Sequence, residues 1–444
     1  MIDLVAKWTT SILQRTGDSP DQPYVLKTAF TGTAASNIGG GTLTTTFGLN
    51  FGNQYQGLKD KERDQKRQEL KNLVLLIIDE ISFVKADDLY RLNLKLQEIK
   101  QNKKPFGGVA VFAFGDIFQL RPVCGQRVFE RPSNPAFHVT FMLCNLWNLL
   151  TVVNLTINHR QGASREFGDL LNRARVLRRG EMDEEDVKTW SSRVRPKGHP
   201  DLEGADIKIV CTNKVRATIN KRYLAKLSGE EVKVQAVTYM ASKKSYTPTP
   251  RPDGTIEKTC FMKELCLKVG AKVMMIKNVR TSDSLTNGQL GVLEGVIRDN
   301  EGGVKTLMVK FDKADAGKLT RRENPQLEKK FPGATKVDKV LVSFSLAKNS
   351  AATANLIQFP LCLAHAVTVH KMQGATIHKP QTASVDVKAM CEEAQGFVAA
   401  SRVQELSQLF VMEKFDSDKV YASEEVLKEY QRMNARSEFQ YLID

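Results

Sequence analysis

Apolar runs that alternate with helical segments are the clearest pattern in the first 120 residues. The runs show little polar alternation, which is typical of parallel strands covered on both faces. The predicted strands are 24–32, 73–78 and 107–116, and the predicted helices are 2–13, 64–71 and 87–100. Strands and helices in this alternation predict a doubly wound parallel sheet.

A second series of the same kind begins near residue 151. Its predicted strands are 205–213 and 396–402, and its predicted helices are 165–178, 184–193 and 214–227. Residues 235–350 have a different texture, with short β-type runs and an Asn287-Gly288 pair that favours a tight turn. We therefore predict an α/β protein whose second domain carries a β-rich insertion. The predicted segments are 1–150, 151–234, 235–350 and 351–444, the second and fourth forming one domain.

The charge of the chain indicates a partner. Its 444 residues include 65 Lys and Arg against 50 Asp and Glu, a formal net charge of +15. An excess of this size favours a polyanion, nucleic acid before a membrane surface. The basic residues are dispersed rather than gathered in a tail, which indicates a basic face on a folded protein.

The cysteines and the apolar runs argue against other classes of protein. Seven cysteines form no CxxC pair, and an odd number is typical of reduced thiols. The start, MIDLVAKW, has an acid at position 3 and no long apolar stretch, so no secretory signal is expected there. The sequence contains no run of 18 apolar residues, so no membrane span is expected. We therefore expect a protein that is not secreted and that has no membrane partner.

Two adjacent carboxylates, Asp79 and Glu80, follow the apolar run at 73–78. In open α/β sheets, ligands bind at the carboxyl ends of the strands. The pair therefore stands where chemistry is expected, although a strand that merely ends in a charged turn would have the same sequence.

Further polar residues stand at predicted boundaries between strands and helices. Gln119 is short enough to reach a phosphate bound beside the neighbouring strand. Taken singly, Arg160 also fits a surface ion pair, His370 a core histidine, and Arg402 a cation at a helix start. The segments that follow this pattern are GDIFQLRPV (115–123), NHRQ (158–161), AHAVTVHKMQGAT (364–376) and FVAASRV (397–403).

The order of these segments resembles that of superfamily-1 DNA helicases of the petite-integration-frequency type (Pif-type below), which are relatives of the RecD-like translocases. TAFTGTAASNIGGGTL (28–43) resembles the segment that contacts single-stranded DNA, and IIDEIS (77–82) resembles the Walker B motif. The later segments resemble the later helicase motifs, and the resemblance covers nearly the whole chain. It implies two RecA-like doubly wound parallel-sheet domains, the second with a small SH3-like β-rich insertion.

The resemblance implies ATP as the nucleotide and Mg²⁺ as its cofactor. Asp79 would hold Mg²⁺, which needs a hard oxygen ligand, and Glu80 would polarise the attacking water. Gln119 would sense the γ-phosphate, and the arginines would neutralise charge on the transferred phosphoryl. The implied catalytic residues are Glu80, Gln119, Arg160 and Arg402; Asp79 and Gly374 join these four as implied nucleotide-binding residues.

The resemblance also implies a path for single-stranded DNA. Hydroxyls, amides and loop N–H groups can follow phosphates without reading bases. GTAASNIGGG (32–41) also fits an ordinary helix start, and Thr44 stands where relatives often have a His. The implied DNA contacts are Thr31, Thr33 and Asn37 in the first domain and His370, Lys371 and Gln373 in the second.

A Walker A loop, GxxxxGK[ST], would supply the backbone cradle for the phosphates, and the sequence does not contain one. The most similar string, AGKLT at 316–320, lacks the first Gly and the Ser/Thr after Lys. In the family this loop immediately precedes the helix predicted at Ile2. We expect either a truncated record of a complete helicase or a natural product without the loop. In both cases we expect the 444 residues alone not to hydrolyse ATP.

Two other functions stay open on the sequence. A nucleotide-independent single-stranded DNA-binding protein or remnant would share the basic charge, and an RNA helicase would use 2′-hydroxyls that the sequence does not exclude. The family implies a 5′-to-3′ helicase in DNA repair, recombination or telomere maintenance. Its implied partners are single-stranded DNA and duplex junctions, and a monomer is expected. The expected location is the nucleus or mitochondrion of a eukaryote, and otherwise the cytoplasm.

Overall fold

The computed structural model describes residues 1–19, 21–49, 55, 57–123, 125–162, 164–240, 247–257, 259–345 and 353–435. The chain divides into two compact units. Unit 1 comprises residues 1–187, 392–401 and 416–444, and unit 2 comprises residues 188–391 and 402–415. The chain therefore leaves unit 1 to form most of unit 2, and it returns to unit 1 twice near its end.

The sheet of unit 1 is parallel throughout. Its strands are β1 (Val25–Ala29), β2 (Gly41–Thr42), β3 (Leu75–Asp79) and β4 (Ala110–Ala113), in the spatial order β2-β1-β3-β4. The chain adds β2 on one side of β1 and then crosses back to add β3 on the other side. Such a reversal opens a crevice at the carboxyl ends of the two strands, where ligands bind in sheets of this kind. At that edge Ala29 lies opposite Asp79.

Helices and short 3₁₀ turns accompany this sheet. The core of unit 1 packs the apolar residues of β3 against one face of the helix Ala86–Lys100. The other α-helices of unit 1 are Ile2–Leu13, Gly32–Asn37, Leu43–Phe47, Asp60–Glu69, His138–Leu143, Arg165–Val176, Gln395–Ala400 and Glu424–Asn434. Its 3₁₀ helices are Ile81–Phe83, Pro105–Gly108, Pro135–Phe137, Leu146–Leu149 and Ser417–Lys419. The helix Glu184–Ser191 begins in unit 1 and ends in unit 2.

Unit 2 contains a second parallel sheet and a set of antiparallel strands. The strands are β5 (Val194–Arg195), β6 (Ile207–Val210), β7 (Val232–Gln235), β8 (Val237–Met240), β9 (Glu264–Leu267), β10 (Lys272–Met275), β11 (Leu290–Arg298), β12 (Val304–Phe311), β13 (Thr335–Asp338), β14 (Val340–Ser345), β15 (Thr353–Gln358), β16 (Leu361–Leu363), β17 (Ala366–Thr368), β18 (Ala383–Val385) and β19 (Leu409–Met412). The parallel sheet has the order β17-β6-β18-β19-β5. Its accompanying helices are Pro200–Glu203, Asn213–Lys226, Val369–Met372 and the 3₁₀ helix Leu406–Gln408.

The β-rich insertion occupies the chain between the helix Asn213–Lys226 and β17. Its sheets are antiparallel, with the orders β13-β12-β11-β10-β16, β14-β15-β8 and β7-β9. Apolar residues from these strands form a core of their own, which includes Val273, Leu293 and Leu307. The insertion therefore packs around its own hydrophobic core within unit 2. Its helices are Lys318–Glu323, Pro325–Lys330 and the 3₁₀ helix Thr281–Asp283.

The predicted α/β class, with two parallel sheets and a β-rich insertion in the second unit, is confirmed. One predicted element is wrong: residues 396–402 were expected to form a strand of the second sheet, whereas the structure has the helix Gln395–Ala400 in unit 1. All six residues of this helix are buried, and an apolar run that is buried on every side has no period that separates helix from strand. Unit 1 also extends to residue 187, beyond the first boundary predicted at residue 150. Among the described helices, none has the length and apolar character needed to cross a membrane.

Candidate nucleotide and nucleic-acid sites

A strained turn carries the two adjacent carboxylates at the end of β3. Asp79 is the last residue of the strand, and Glu80 adopts a left-handed conformation with φ 54° and ψ 51°. This conformation costs a residue with a side chain about 1–3 kcal/mol, and such strain is common at functional sites. The Glu80 N–H donates to Oδ1 of Asp79 at 3.0 Å. Burial raises the pKa of Asp79, and this hydrogen bond opposes the rise.

The segment after β4 packs directly against this turn. The N–H of Phe114 donates to the Ile78 carbonyl at 2.7 Å, and the N–H of Ile81 donates to the Phe114 carbonyl at 2.9 Å. Gly115 follows with φ 147°, and a Cβ at this position would lie 2.8 Å from the Ile81 nitrogen. The glycine of the GDIFQL segment therefore allows two main chains to meet beside Glu80.

The polar side chains of GDIFQL have different surroundings. Asp116 accepts hydrogen bonds from Arg175 through both carboxylate oxygens, at 2.8–3.1 Å, so its negative charge is paired with a guanidinium of the same unit. The Arg175 guanidinium also lies 4.5 Å from the centre of the Phe118 ring. The side-chain oxygen of Gln119, in contrast, is buried and has no hydrogen-bond partner among the residues that the structure describes. A buried oxygen in that state is a candidate for ligand contact.

Arg160 lies in the same unit as the carboxylate turn. The Asn158 side chain accepts from the N–H groups of Arg160 and Gln161 at 3.1 and 3.2 Å, which shapes the NHRQ segment into a turn. Arg160 donates to the Ser401 carbonyl at 3.2 Å. Burial lowers the pKa of the Arg160 guanidinium, and the negative charge of Glu80 acts in the opposite direction. The structure thus brings Arg160 within electrostatic reach of Glu80.

The remaining predicted nucleotide residues lie in unit 2. Arg402 is 1% exposed and donates to the carbonyls of Ala375 and Met372 at 3.4 and 3.5 Å. Gly374 lies between these two acceptors in the chain and adopts φ 78°, a conformation that favours glycine. The six predicted residues therefore form two groups, Asp79, Glu80, Gln119 and Arg160 in unit 1 and Gly374 and Arg402 in unit 2.

The predicted DNA contacts of unit 1 lie on the helix Gly32–Asn37. Thr31 caps this helix, and its hydroxyl accepts from the Ala34 N–H at 3.2 Å, which is the ordinary helix-start role that the sequence left open. Asn37 is exposed at the other end. Thr33 lies within the helix, and its side chain is outside the described residues.

The predicted DNA contacts of unit 2 lie on and beside the short helix Val369–Met372. His370 and Lys371 are half-buried, and Gln373 is buried. The ammonium group of Lys371 donates to Oδ1 of Asn287, a residue of the insertion, at 3.2 Å. The three predicted residues are therefore close together, and the insertion contributes a side chain beside them.

Comparison with known proteins relates two segments of the chain to one type of helicase. A model described as PIF1-like helicase matches residues 10–187, and a model described as DNA helicase Pif1, 2B domain, matches residues 255–295. Residues 10–187 are therefore similar to the PIF1-like helicases. The second match falls within the β-rich insertion, in agreement with the resemblance seen in the sequence.

Individual proteins are similar to this chain over most of its length. The ATP-dependent DNA helicase PIF1 of Candida albicans is 27% identical over 93% of this chain and 51% of its own length, and the human protein of the same name is 28% identical over 94% and 58%. The chain thus spans between a half and three fifths of these relatives. The crystal structure of Pif1 helicase from Candida albicans matches with a TM-score of 0.69 and 25% identity, over 98% of this chain and 93% of that one. The Bacteroides Pif1 helicase in complex with ADP-AlF3 and ssDNA matches with a TM-score of 0.67 and 25% identity, over 99% and 92%.

Several contacts around the PIF1-like motifs could not be found from sequence. Arg127 forms ion pairs with Glu130 and with Glu393, and it donates to the Ser423 hydroxyl at 3.1 Å. Glu393 lies just before the helix Gln395–Ala400, at whose end Ser401 accepts from Arg160. No spacing or motif joins residues separated by more than 240 positions, so only the fold reveals this network.

The AGKLT string at 316–320 is used within the insertion. The buried carboxylate of Asp283 accepts from the N–H groups of Leu319 and Thr320 at 2.7 and 2.9 Å, and from the Thr320 hydroxyl at 2.6 Å. A protein carboxylate thus takes the place that a phosphate would take at the start of a helix. The geometry agrees with the sequence argument that this string is not a phosphate-binding loop.

A magnesium ion is compatible with the carboxylate turn. The described residues contain no group of three or more His, Cys, Asp or Glu side chains arranged to hold a metal. In nucleotide sites, however, Mg²⁺ uses one or two protein carboxylates together with phosphate oxygens and waters. Asp79, at the end of a central strand with one oxygen fixed by the Glu80 N–H, fits that smaller requirement.

Proposed function

We propose that this chain is the core of an ATP-dependent DNA helicase that moves along single-stranded DNA in the 5′-to-3′ direction. The observation that carries the proposal is the grouping of Asp79, Glu80, Gln119 and Arg160 in unit 1, with the carboxylates at the carboxyl end of β3. Acid, amide and guanidinium groups are the parts that phosphoryl transfer requires, and unit 1 supplies them from the carboxylate turn, from the GDIFQL segment that packs against this turn, and from Arg160. The names of the relatives and the DNA complexes of the Bacteroides protein support the same function.

Each residue has a role that its surroundings favour. Glu80 would accept the proton of the attacking water, and its left-handed backbone fixes the direction in which its side chain leaves the strand. The buried side-chain oxygen of Gln119 can accept a hydrogen bond from that water, and its NH₂ group would donate to the γ-phosphate. Arg160 interacts electrostatically with Glu80, and when a nucleotide binds, its guanidinium would interact partly with the phosphate charge instead. Asp79 would hold Mg²⁺, which when bound neutralises charge on the phosphate oxygens.

Roles are also proposed for residues of unit 2. Arg402 and Gly374 would contact the nucleotide, and His370, Lys371 and Gln373 would contact phosphates of single-stranded DNA. In unit 1, the proposed DNA contacts are Thr31, Thr33 and Asn37. The charge of +15 supports a nucleic-acid partner. We propose duplex junctions as further partners, a monomer as the functional state, and roles in DNA repair, recombination or telomere maintenance. A nuclear or mitochondrial location in a eukaryote, and otherwise a cytoplasmic one, is proposed on the family alone.

The proposed function is tested by DNA-stimulated ATP hydrolysis. Phosphate release would be measured with and without single-stranded DNA for the 444-residue chain and for the same chain fused to a GxxxxGK[ST] segment. The proposal expects DNA-stimulated release from the fused chain and its loss in the Arg402→Ala variant of that chain. Binding of single-stranded DNA without hydrolysis by either chain would instead support a nucleotide-independent DNA-binding protein.

A further inference from the structure

Lys371 is held by a residue from another part of unit 2. Its ammonium group donates to the side-chain oxygen of Asn287 at 3.2 Å, although the two residues are 84 positions apart. Lys371 belongs to the helix that follows β17, whereas Asn287 lies in the loop of the insertion between the 3₁₀ helix Thr281–Asp283 and β11. The contact therefore links the parallel-sheet part of unit 2 to its insertion.

The main chain around Asn287 is fixed by hydrogen bonds. Its own N–H donates to Oδ1 of Asn278 at 2.9 Å. The next residue, Gly288, has φ 100° and donates to the Met275 carbonyl at 2.8 Å, and the Gln289 carbonyl accepts from the Met275 N–H at 2.9 Å. A side chain mounted on so constrained a turn presents its amide oxygen in a definite direction. Asn287 is thus suited to orient a flexible partner.

The neutral acceptor leaves the charge of Lys371 intact. Other lysines of unit 2 are paired with carboxylates, as in Lys272 with Asp206 and Lys379 with Glu405. A carboxylate partner would cancel most of the attraction to a phosphate, whereas an amide oxygen fixes the ammonium group and preserves its charge. The ammonium group has three donors, so the bond to Asn287 leaves two for phosphate oxygens.

We propose that Asn287 is a positioning residue for nucleic-acid binding, which holds the Lys371 ammonium group ready for a backbone phosphate of single-stranded DNA. The inference rests on the proposed function, because Lys371 is a DNA contact only there. A lysine side chain loses much conformational freedom when it binds. A bond made before the ligand arrives removes part of that loss, and this is the physical benefit of the arrangement.

A double-mutant cycle with single-stranded DNA tests the inference on the 444-residue chain. An oligothymidine would be titrated at several salt concentrations into the unaltered chain, Lys371→Ala, Asn287→Ala and the double variant. Lys371→Ala should weaken binding roughly threefold to tenfold and lower the salt slope by about 0.7, as one phosphate contact is lost. Asn287→Ala should weaken binding about twofold to threefold without changing the slope, because no charge is removed. The double variant should bind like Lys371→Ala alone.

Controls separate positioning from general damage to the fold. Asn355→Ala removes an asparagine of the same insertion whose side chain pairs with Ser343, and it should bind DNA like the unaltered chain. If Asn287→Ala does not fold, Asn287→Asp replaces it: a carboxylate would neutralise Lys371, so binding should weaken and the slope should fall. These effects should largely disappear in the Lys371→Ala background.

The possible failures are distinguishable. Binding that Asn287→Ala leaves unchanged, or a double variant whose loss is the product of the two single losses, would overturn the inference alone. Absence of any binding by the unaltered chain at low salt would overturn the proposed function, and the inference with it.

Discussion

The predicted site residues of the two units are held in place by different means. In unit 1 the main chain shapes the carboxylate turn, where Glu80 is left-handed and Gly115 lies against the turn with no room for a Cβ. In unit 2 side chains do the holding, since Arg402 donates to two main-chain carbonyls and Lys371 to an amide. Where two main chains are in close contact, an added atom causes a large loss of stability, whereas the loss of one side-chain hydrogen bond lowers the free energy of unfolding only a little. Substitutions should therefore act sharply in unit 1 and gradually in unit 2.

The largest effect is expected at Glu80. In a chain that carries a P-loop segment, Glu80→Gln should lower ATP hydrolysis by about 10²–10⁴-fold, because an amide is a much weaker proton acceptor than a carboxylate of the same shape. Nucleotide and DNA binding should stay close to those of the parent. Steady-state phosphate release and a nucleotide titration measure the two quantities separately.

The neighbouring acid provides the control for this experiment. Asp79→Asn should mainly weaken binding of the magnesium nucleotide, since it replaces the proposed metal ligand. Equal hydrolysis rates for Glu80→Gln and its parent would reduce the two carboxylates to a charged turn at the end of a strand.

The next largest effect tests the close approach in unit 1 directly. Gly115→Ala should destabilise unit 1 by about 2–5 kcal/mol. This loss has two causes, which are backbone strain at positive φ and the overlap of the new Cβ with the Ile81 nitrogen. Gly17→Ala is the matched control, because Gly17 has φ 95° and nothing within 4 Å of an added Cβ. That variant should lose only the strain, about 1–2 kcal/mol. Hydrogen exchange of the β3 amides in urea gives both values, and equal losses would show that the close approach is unimportant.

The fold was largely predictable from sequence, and the exception has a physical reason. The strands of unit 1 were found because their apolar runs are bounded by polar turns, as at Leu75–Asp79. The segment 396–402 was misassigned because burial on all sides removes the period on which such predictions depend. Its place in unit 1 was also unpredictable, since the chain crosses between units several times.

The site could be predicted only where its residues lie together in one short sequence motif. Asp79 and Glu80 were visible because a strand end and a motif coincide, whereas the contact of Arg160 with Ser401 depends on folding together distant segments. Thr31 is a different case, because the sequence left two roles open for its segment, a DNA contact and a helix start. In the structure its hydroxyl caps a helix. The assignment of roles to these residues stays a prediction.

The stability of unit 2 should depend on pH through one buried side chain, that of His365. His365 is buried and stacks on Tyr223 with ring centres 4.1 Å apart. Burial, with the charges of Lys208 and Lys272, lowers the pKa of His365 to about 4, from an unperturbed 6.5. Between pH 6.5 and about pH 4, His365 therefore binds a proton in the unfolded chain but stays neutral in the folded chain. Stability should fall by up to about 3 kcal/mol as the pH decreases through this window.

A variant that cannot titrate isolates this contribution. His365→Phe keeps a ring against Tyr223 and should show a flatter dependence between pH 6.5 and 4.5, measured by hydrogen exchange of the β6 and β17 amides. The nearby acids Asp206 and Glu203 have lowered pKa values and act mainly at the bottom of this range or below it. The same slope in both proteins would show that His365 does not set the pH dependence of unit 2.

The smallest effect compares two ion pairs within unit 1. Arg127 and Glu393 are 11% and 16% exposed in their side chains, whereas Arg178 and Glu424 are 50% and 52% exposed. Arg127→Ala would leave a largely buried carboxylate without its guanidinium and should cost about 2 kcal/mol, while Arg178→Ala should cost less than about 1 kcal/mol because solvent screens that pair.

The position of Glu393 gives this comparison a functional readout. Glu393 precedes the helix Gln395–Ala400, and the carbonyl of Ser401 beyond its end accepts from Arg160. Loss of Arg127 should therefore disturb the acceptor of Arg160 and lower the maximal hydrolysis rate of a P-loop-bearing chain more than it raises KM, whereas loss of Arg178 should change neither. Exchange of the charges, with Glu at 127 and Arg at 393, should restore only part of the rate, because Glu130 would then face a like charge. Equal effects of Arg127→Ala and Arg178→Ala on both stability and rate would mean that unit 1, too, tolerates the loss of single side-chain bonds, and that its rigidity is confined to the turn at Glu80.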